Sequence, residues 1–340
     1  MEELDSEVPL PKGGLTVGIV YNLKKGTATS AAPDAEAEYD SIDTVNAIKS
    51  ALESNGNSVV LLEADENLPE KLQKTQIDIA FNIAEGIRGR GREAQIPALL
   101  NFFGIPFTGS DETALSVALD KAMTKRLAAT YKIRTPKYRI AKNSSDTSGM
   151  TFPVIVKPNA EGSSKGISDI SIAKNKNELS SLLTKNAELY GSPMLVEEYI
   201  HGREFTVGII GNDDDTTVFA PMEIVYKKTT QENFCVYSYN VKQNYKEFIE
   251  YHCPACLAPN EEIEMKSAAV KVYNMLGCVD FSRVDFRMSD DGKIYFIEIN
   301  PLPGLAPGYS DYPMLAEFCG TSYGKLVNSV LDAARKRLGK

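Results

Sequence analysis

Asp285 and Glu298 are carboxylates on two segments, Phe281 to Met288 and Lys293 to Ile299, that alternate apolar and polar residues, and Asn300 directly follows the second. Asp291-Gly292 between them reads as a two-residue hairpin turn. With that pair as the turn, Asp285 lies opposite Glu298 and Arg283 opposite Asn300, all on one face, because side chains along a strand alternate between its two faces. Carboxylates placed directly opposite each other repel. A hard divalent cation such as Mg²⁺, which takes oxygens from one or two carboxylates and the rest from phosphates and water, would relieve that repulsion. An exposed hairpin with solvated acids is the other reading, and the phosphate-binding features elsewhere in the chain favour the first. Asn300-Pro301-Leu302-Pro303-Gly304 then stops the strand and turns bare backbone toward the same place.

Those features begin at Lys157, which ends a strand (Phe152 to Lys157) just before Gly162-Ser163-Ser164 and Gly166. Backbone N–H groups of such small residues can wrap phosphate oxygens. The spacing is not that of a P-loop. Lys121, after Asp120, offers a second cation. Leu195 to Ile200 has the character of a purine edge, with backbone donors and acceptors beside apolar side chains and with Glu197 and Glu198 at hand for an amino group or a ribose. Either lysine alone would read as a surface residue; together with the hairpin they read as phosphate contacts.

The elements that must position these groups follow from length and pattern. A chain of 340 residues with 43% hydrophobic content is too long for one ordinary core and suggests two or three globular domains. A net charge of -9 without a Lys/Arg-rich run argues against a nucleic-acid partner. Met1 to Gly14 is acidic, and the apolar run Leu15 to Tyr21 is strand-length, so neither a secretion signal nor a membrane span is expected and a cytoplasmic protein is. Five scattered cysteines fit reduced thiols, and two histidines leave no room for a His-rich metal site. Cys253-Pro254-Ala255-Cys256 lacks a second C-x-x-C and reads as a loop.

Strands at Leu15 to Tyr21, Ser58 to Leu62 and Ile77 to Ile83 alternate with helical patterns over Asp34 to Ser54 and Leu68 to Gln73, which implies a small doubly wound α/β region to about residue 110. Gly86, Gly89 and Gly91, interleaved with Arg88, Arg90 and Arg92, feed a helix at Glu93 to Phe103; an anion site at a helix N-terminus and a solvated turn both remain open. A long helix is expected from Asp111 to Tyr131. Strands follow at Met194 to Ile200 and Glu204 to Ile210, then a polar loop from Asn240 to Tyr251, a helix from Asn260 to Leu276 and a last helix from Tyr323 to Leu338.

VKPNAEGSSKGI (156–167), MLVEEYIHGREFTVGIIG (194–211), EYHCPACL (250–257) and SRVDFRMSDDGKIYFIEINPLPG (282–304) together resemble the D-alanine:D-alanine ligase family of the ATP-grasp superfamily. The resemblance runs in order from about residue 77 to the C-terminus. It implies an ATP-grasp fold of mixed α/β and α+β class: an N-terminal α/β domain (1–110), then central (111–200) and C-terminal (201–340) α+β subdomains that enclose ATP. It implies an ATP- and Mg²⁺-dependent ligase that joins two small amino acids through an acylphosphate, with D-alanyl-D-alanine for peptidoglycan synthesis as the default product. A dipeptide ligase of specialised metabolism and a non-catalytic nucleotide-binding protein are the alternatives. A homodimer is compatible with this reading, and neither nucleic acid nor membrane is an expected partner.

Carried over by position, the resemblance makes Lys121 and Lys157 phosphate contacts, Glu197 to Ile200 (with Glu198 and Tyr199) the adenine hinge and Glu204 the ribose carboxylate. Ser163 and Ser164 lie at the phosphate loop, Ser163 also near the first substrate. Lys242 becomes a lid lysine over the γ-phosphate, and Asp285, Glu298 and Asn300 the magnesium ligands. Arg283 and the Gly304 backbone become oxyanion stabilisers, and Ser310 the contact for the second carboxylate. Three positions depart from the family. Its Gly-Gly-x-Ser-x-Glu segment after the first strand is missing, which leaves Glu36 or Glu38 to meet the first amino group; its His-Gly is Glu85-Gly86; and its lid tyrosine is Gln243.

Overall fold

The computed structural model describes residues 14–26, 36–161, 171–228 and 234–339. Its first region is a three-stranded parallel sheet, with β1 (Thr16–Tyr21) between β2 (Ser58–Glu63) and β3 (Ile79–Asn82). The chain runs from β1 to β2 through α1 (Ile42–Ser54) and from β2 across to β3 through α2 (Leu68–Lys74), and α3 (Gln95–Phe102) follows β3. The helical pattern predicted from Asp34 is shorter in fact: α1 starts only after Ser41, whose Oγ accepts the Thr44 N–H at 3.2 Å. Glu36 to Glu38 form a turn ahead of it. Val45, Ile48 and Leu52 recur at helical spacing and are buried against the sheet.

The long helix expected at 111–131 is two, α4 (Glu112–Leu119) and α5 (Lys121–Thr130). Asp120 leaves the helical conformation and caps α5, its Oδ1 accepting the Met123 N–H at 2.9 Å and Asn159 Nδ2 at 2.8 Å. Asn159 also captures the Ala122 N–H through its side chain and the Lys121 N–H through its carbonyl. The break therefore comes from a distant loop, while the apolar period continues through it.

Two antiparallel sheets follow. One runs β4-β7-β5-β6, from β4 (Tyr138–Ala141), β5 (Val154–Pro158), β6 (Ile172–Ala173) and β7 (Met194–Glu198), and is covered by α6 (Lys176–Tyr190). The other is built from β8 (Arg203–Ile210), β9 (Thr217–Val218), β10 (Met222–Tyr226), β11 (Ile249–His252), β12 (Phe281–Met288) and β13 (Ile294–Asn300), in the order β11-β10-β8-β12-β13 with β9 on β8. Residues 240–251, expected as a loop, form α7 (Tyr239–Gln243), α8 (Tyr245–Phe248) and β11. The chain passes between the two sheets at Gly202, whose φ of +122° and a carbonyl 2.1 Å from where a Cβ would stand leave room only for glycine. Then α9 (Pro259–Met275) backs the larger sheet, and α10 (Asp311–Phe318) and α11 (Tyr323–Arg337) close the chain.

The hairpin turn is one residue off expectation. Gly292 N–H bonds to Ser289 and Ser289 N–H to Lys293, with Gly292 at φ +78°, so Asp290-Asp291 occupy the bend and Gly292 the left-handed position after it. That turn alone would pair Asp285 with Ile297. A bulge restores the expected pairing: Phe286 faces Phe296, Ile297 is skipped, and Asp285 faces Glu298 and Arg283 faces Asn300. Tertiary bonds hold the bulge, since Phe296 N–H donates to the Arg134 carbonyl at 2.8 Å and the Ile297 carbonyl accepts from Lys125 Nζ at 3.2 Å.

The apolar core of the first region takes in the C-terminal helices: Val330, Leu331 and Ala334 join Val45, Ile48 and Leu52. Asp280, fully buried at the start of β12, ties the same parts together, accepting from Gly109 N–H (2.8 Å), Asn212 Nδ2 (2.9 Å) and Arg337 Nε (3.0 Å) and Nη2 (2.8 Å). Among the described residues no helix is long and apolar enough to cross a membrane. Replacing Arg337 with Met would leave the Asp280 carboxylate buried without its cation, and urea unfolding should show a loss of about 3 kcal/mol; a loss below about 1 kcal/mol would show that Asp280 is not held by charge.

Candidate functional site

One cavity of about 440 Å³ opens between the first region and the two antiparallel sheets. At its centre is the open end of the β12–β13 hairpin. Arg283 forks onto Asp285 (Nε to Oδ1 3.0 Å, Nη2 to Oδ2 2.8 Å), Thr206 Oγ1 donates to Asp285 Oδ1 at 2.7 Å, and Asn300 Nδ2 donates to Oδ2 at 3.2 Å. Glu298 meets Lys121 Nζ at 3.3 Å. Burial works against ionising Glu298, but Lys121, Lys157 and Arg283 hold it down to about 2. Burial likewise opposes charge on Arg283, and Asp285 and Asp311 outweigh it and raise its proton affinity. The repulsion foreseen between the two facing carboxylates is thus met partly by protein cations. The donor set is all oxygen, with Glu298 anionic at neutral pH, and suits a hard divalent cation.

Lys157 Nζ and Lys125 Nζ each pair with one oxygen of Glu197, both at 2.6 Å. Burial would raise the Glu197 carboxyl, and the two lysines pull it below its usual value. Burial lowers Lys125 to about 8. Of the expected hinge, Glu197, Glu198, Tyr199 and Ile200 all line the cavity. Glu198 is partly engaged by the Thr151 N–H at 3.0 Å, and Tyr199 Oη donates to the Cys235 carbonyl at 2.9 Å. Glu204 accepts from Tyr226 Oη (2.8 Å) and Arg287 Nη1 (3.0 Å), with its pKa raised by burial.

On the other side of the hairpin, Gly304 lies so close to Ser310 that a Cβ would stand 2.8 Å from its Oγ. Ser310 Oγ accepts the Ala306 N–H at 3.2 Å, which folds the loop after β13 back over the cavity. Lys242, on α7, also lines the cavity, its pKa lowered by burial. Asp311 accepts from Tyr237 Oη (3.0 Å) and Tyr251 Oη (2.7 Å) and faces Arg283 Nη1 at 3.4 Å.

The first region closes the far end. Glu38 and Glu85 line the cavity with Glu93, and carboxylate oxygens of the three lie within 4.8 Å of one another. Glu36 lies off the cavity, its Oε2 accepting the Gly26 N–H at 2.9 Å, and Gln243 does so too, bonded to Tyr309 Oη at 2.6 Å. Ser163 and Ser164 fall outside the described residues. The Gly/Arg loop is not a free anion site: Arg90 pairs with Asp120, and Arg92 with Glu38 and, at 3.2 Å, with Glu161. Cys253 Sγ is 3.8 Å from Cys319 Sγ, and the described cysteines are free thiols.

Sequence reasoning passed over Lys125, Arg287, Thr206, Asp311 and Glu93. Two of these carried a signal, Lys125 one helical turn after Lys121 and Arg287 on the same strand face as Asp285. Glu93 carried none, because its neighbours come from distant segments.

Burial first, then Glu38, raises Glu93 to about 7, against an ordinary 4.5. The folded chain therefore holds a proton that the unfolded chain releases between these values, so this contribution to stability is complete below about pH 4.5 and lost as pH rises through about 7. Tm should fall from about pH 5 to about pH 8, and Glu93→Gln should flatten part of that slope. An unchanged slope in a folded Glu93→Gln variant would refute the assignment.

The model of the D-ala D-ala ligase C-terminus family matches residues 129–332. A D-alanine–D-alanine ligase of Marinomonas sp. (strain MWYL1) is 34% identical over 274 residues, covering 79% of this chain and 81% of that protein. A D-alanine–D-alanine ligase from Bacillus anthracis, solved in complex with ATP, superposes with a TM-score of 0.72 at 22% identity over 96% of this chain and 98% of that one. The VanG D-Ala:D-Ser ligase of Enterococcus faecalis has the same fold, with a TM-score of 0.73 at 20% identity over 94% of this chain and 99% of that one. With the fold, the hairpin and the family match in agreement, the chain belongs to the D-alanine–D-alanine ligase family of ATP-grasp enzymes.

Proposed function

We propose that this chain uses ATP to join two molecules of D-alanine, making the dipeptide that peptidoglycan precursor synthesis consumes. The observation that carries the reading is the meeting, in one cavity, of the Asp285–Glu298 pair with the cations Lys121 and Lys157 and with Arg283 beside Gly304 and Ser310. In this reading the hinge residues 197–200 and Glu204 hold the nucleoside, while Lys121, Lys157 and Lys242 take the phosphates. Asp285, Glu298 and Asn300 would hold Mg²⁺, which when bound neutralises phosphate charge. A substrate carboxylate oxygen attacks the γ-phosphorus, ADP leaves, and an acylphosphate forms. The amine of the second D-alanine attacks the acyl carbon. Arg283 and the Gly304 N–H meet the oxyanion, phosphate departs with the bonding pair, and the amine gives up a proton.

Glu38 is the group offered to the first ammonium, as it faces the cavity and Glu36 does not. Ser310 is offered to the second carboxylate. In a division at 1–110, 111–200 and 201–340, the boundary near 200 is supported by the change of sheet at Gly202. D-alanine with ATP and Mg²⁺ should release phosphate and yield D-alanyl-D-alanine. Glu298→Gln should cut that release by about 100-fold or more while urea unfolding stays close to wild type. Full activity in the variant would sink the metal assignment, and turnover of another amino-acid pair but not D-alanine would sink the substrate.

A further inference from the structure

Lys125 has no part in the reaction as drawn above, and yet it is a fully buried cation one helical turn from Lys121. Its Nζ reaches three oxygens on three separate segments: Glu197 Oε1 on β7 at 2.6 Å, the Ile297 carbonyl on β13 at 3.2 Å, and Thr135 Oγ1 in the segment after α5 at 2.7 Å. Glu197 belongs to the four-stranded sheet and Ile297 to the larger one, so a single ammonium joins the two walls of the cavity.

Each of two of these contacts adjoins a second group that lines the cavity, Lys157 in one case and Glu298 in the other. Glu197 gives its second oxygen to Lys157. Ile297 is the skipped residue of the bulge that sets Glu298 opposite Asp285. We propose that Lys125 is a positioning residue for the nucleotide phosphates, sharing Glu197 with Lys157 so that Lys157 stays available to phosphate, and fixing the bulge that aims Glu298. Without Lys125, the whole charge of Glu197 falls on Lys157 and draws it back from the cavity, because a buried carboxylate binds whatever cation remains. The Ile297 carbonyl loses its donor at the same time. The proposal rests on reading Lys157 as a phosphate contact.

That dependence supplies the test. Binding of ATP with Mg²⁺ and of adenosine, which lacks phosphates, is measured by calorimetry on the full chain for wild type, Lys125→Met and Lys157→Met. Lys125→Met should weaken ATP by about tenfold more than it weakens adenosine, which feels the loss only through the hinge carboxylate Glu197. A residue that only supports the fold would weaken both ligands equally or neither, and either result in a folded variant overturns the proposal. If Lys125→Met does not fold, Thr135→Val, which removes one of the three oxygens, should shift the ATP-to-adenosine ratio in the same direction by about threefold. A ratio moved by Lys157→Met but by neither Lys125→Met nor Thr135→Val defeats the role of Lys125 alone. A ratio that Lys157→Met leaves unmoved defeats the phosphate reading of Lys157 and this proposal with it.

Discussion

Glu298 is an ionised carboxylate set across from Asp285 in the wall of the cavity, and it is tolerated there because cations reach it from other parts of the chain. Lys121 comes from the start of α5, Lys157 from the end of β5, and Arg283 from the facing strand. A buried charge left alone is costly enough to prevent its own ionisation, so these groups must converge if the hairpin is to keep its acids. The same demand recurs along the cavity. Glu197 is shared by two lysines, Glu204 by Arg287 and a tyrosine, and Asp311 by Arg283 and two tyrosines. In each case the partners come from different elements of the fold, and satisfying the charges fixes how the sheets stand around the cavity.

Much of this was legible before folding was considered, for a definite reason. Alternation along β12 and β13 is a local property of a half-buried ribbon, and it put Asp285, Glu298, Arg283 and Asn300 on one face correctly. The turn itself was misplaced by one residue. The error cancelled only because Ile297 bulges, and the bonds that hold the bulge come from Arg134 and Lys125, far away in sequence. The unbroken helix expected at 111–131 failed in the same manner, since Asn159 supplies the bonds that let Asp120 leave the helix. Local pattern carried which residues are near the chemistry, and tertiary bonds decided their register.

The far end of the cavity was the least legible. Glu38, Glu85 and Glu93 lie on a turn, after β3 and at the start of a helix, and nothing in their spacing announces that their carboxyl groups meet. The family motifs weaken over the same stretch. Burial and mutual repulsion raise the proton affinity of Glu85 and Glu93, so this end differs in chemistry from the cation-rich hairpin end that faces it. In the reaction proposed above, the bond-making groups and the group offered to the first amino acid therefore lie at different ends of the cavity.

The packing of α11 on α1 also governs how the chain comes to be folded. Asn328 bonds to the carbonyl of Ala51 at 2.9 Å across 277 residues of sequence, and Val330, Leu331 and Ala334 fill the core that β1 and α1 begin. A ribosome delivers the parallel sheet long before the helix that covers it. The early segment must wait with apolar surface uncovered, and closing so long a loop is entropically slow. The last turns of α11 thus complete the core that β1 and α1 begin, and removing them would leave that core uncovered.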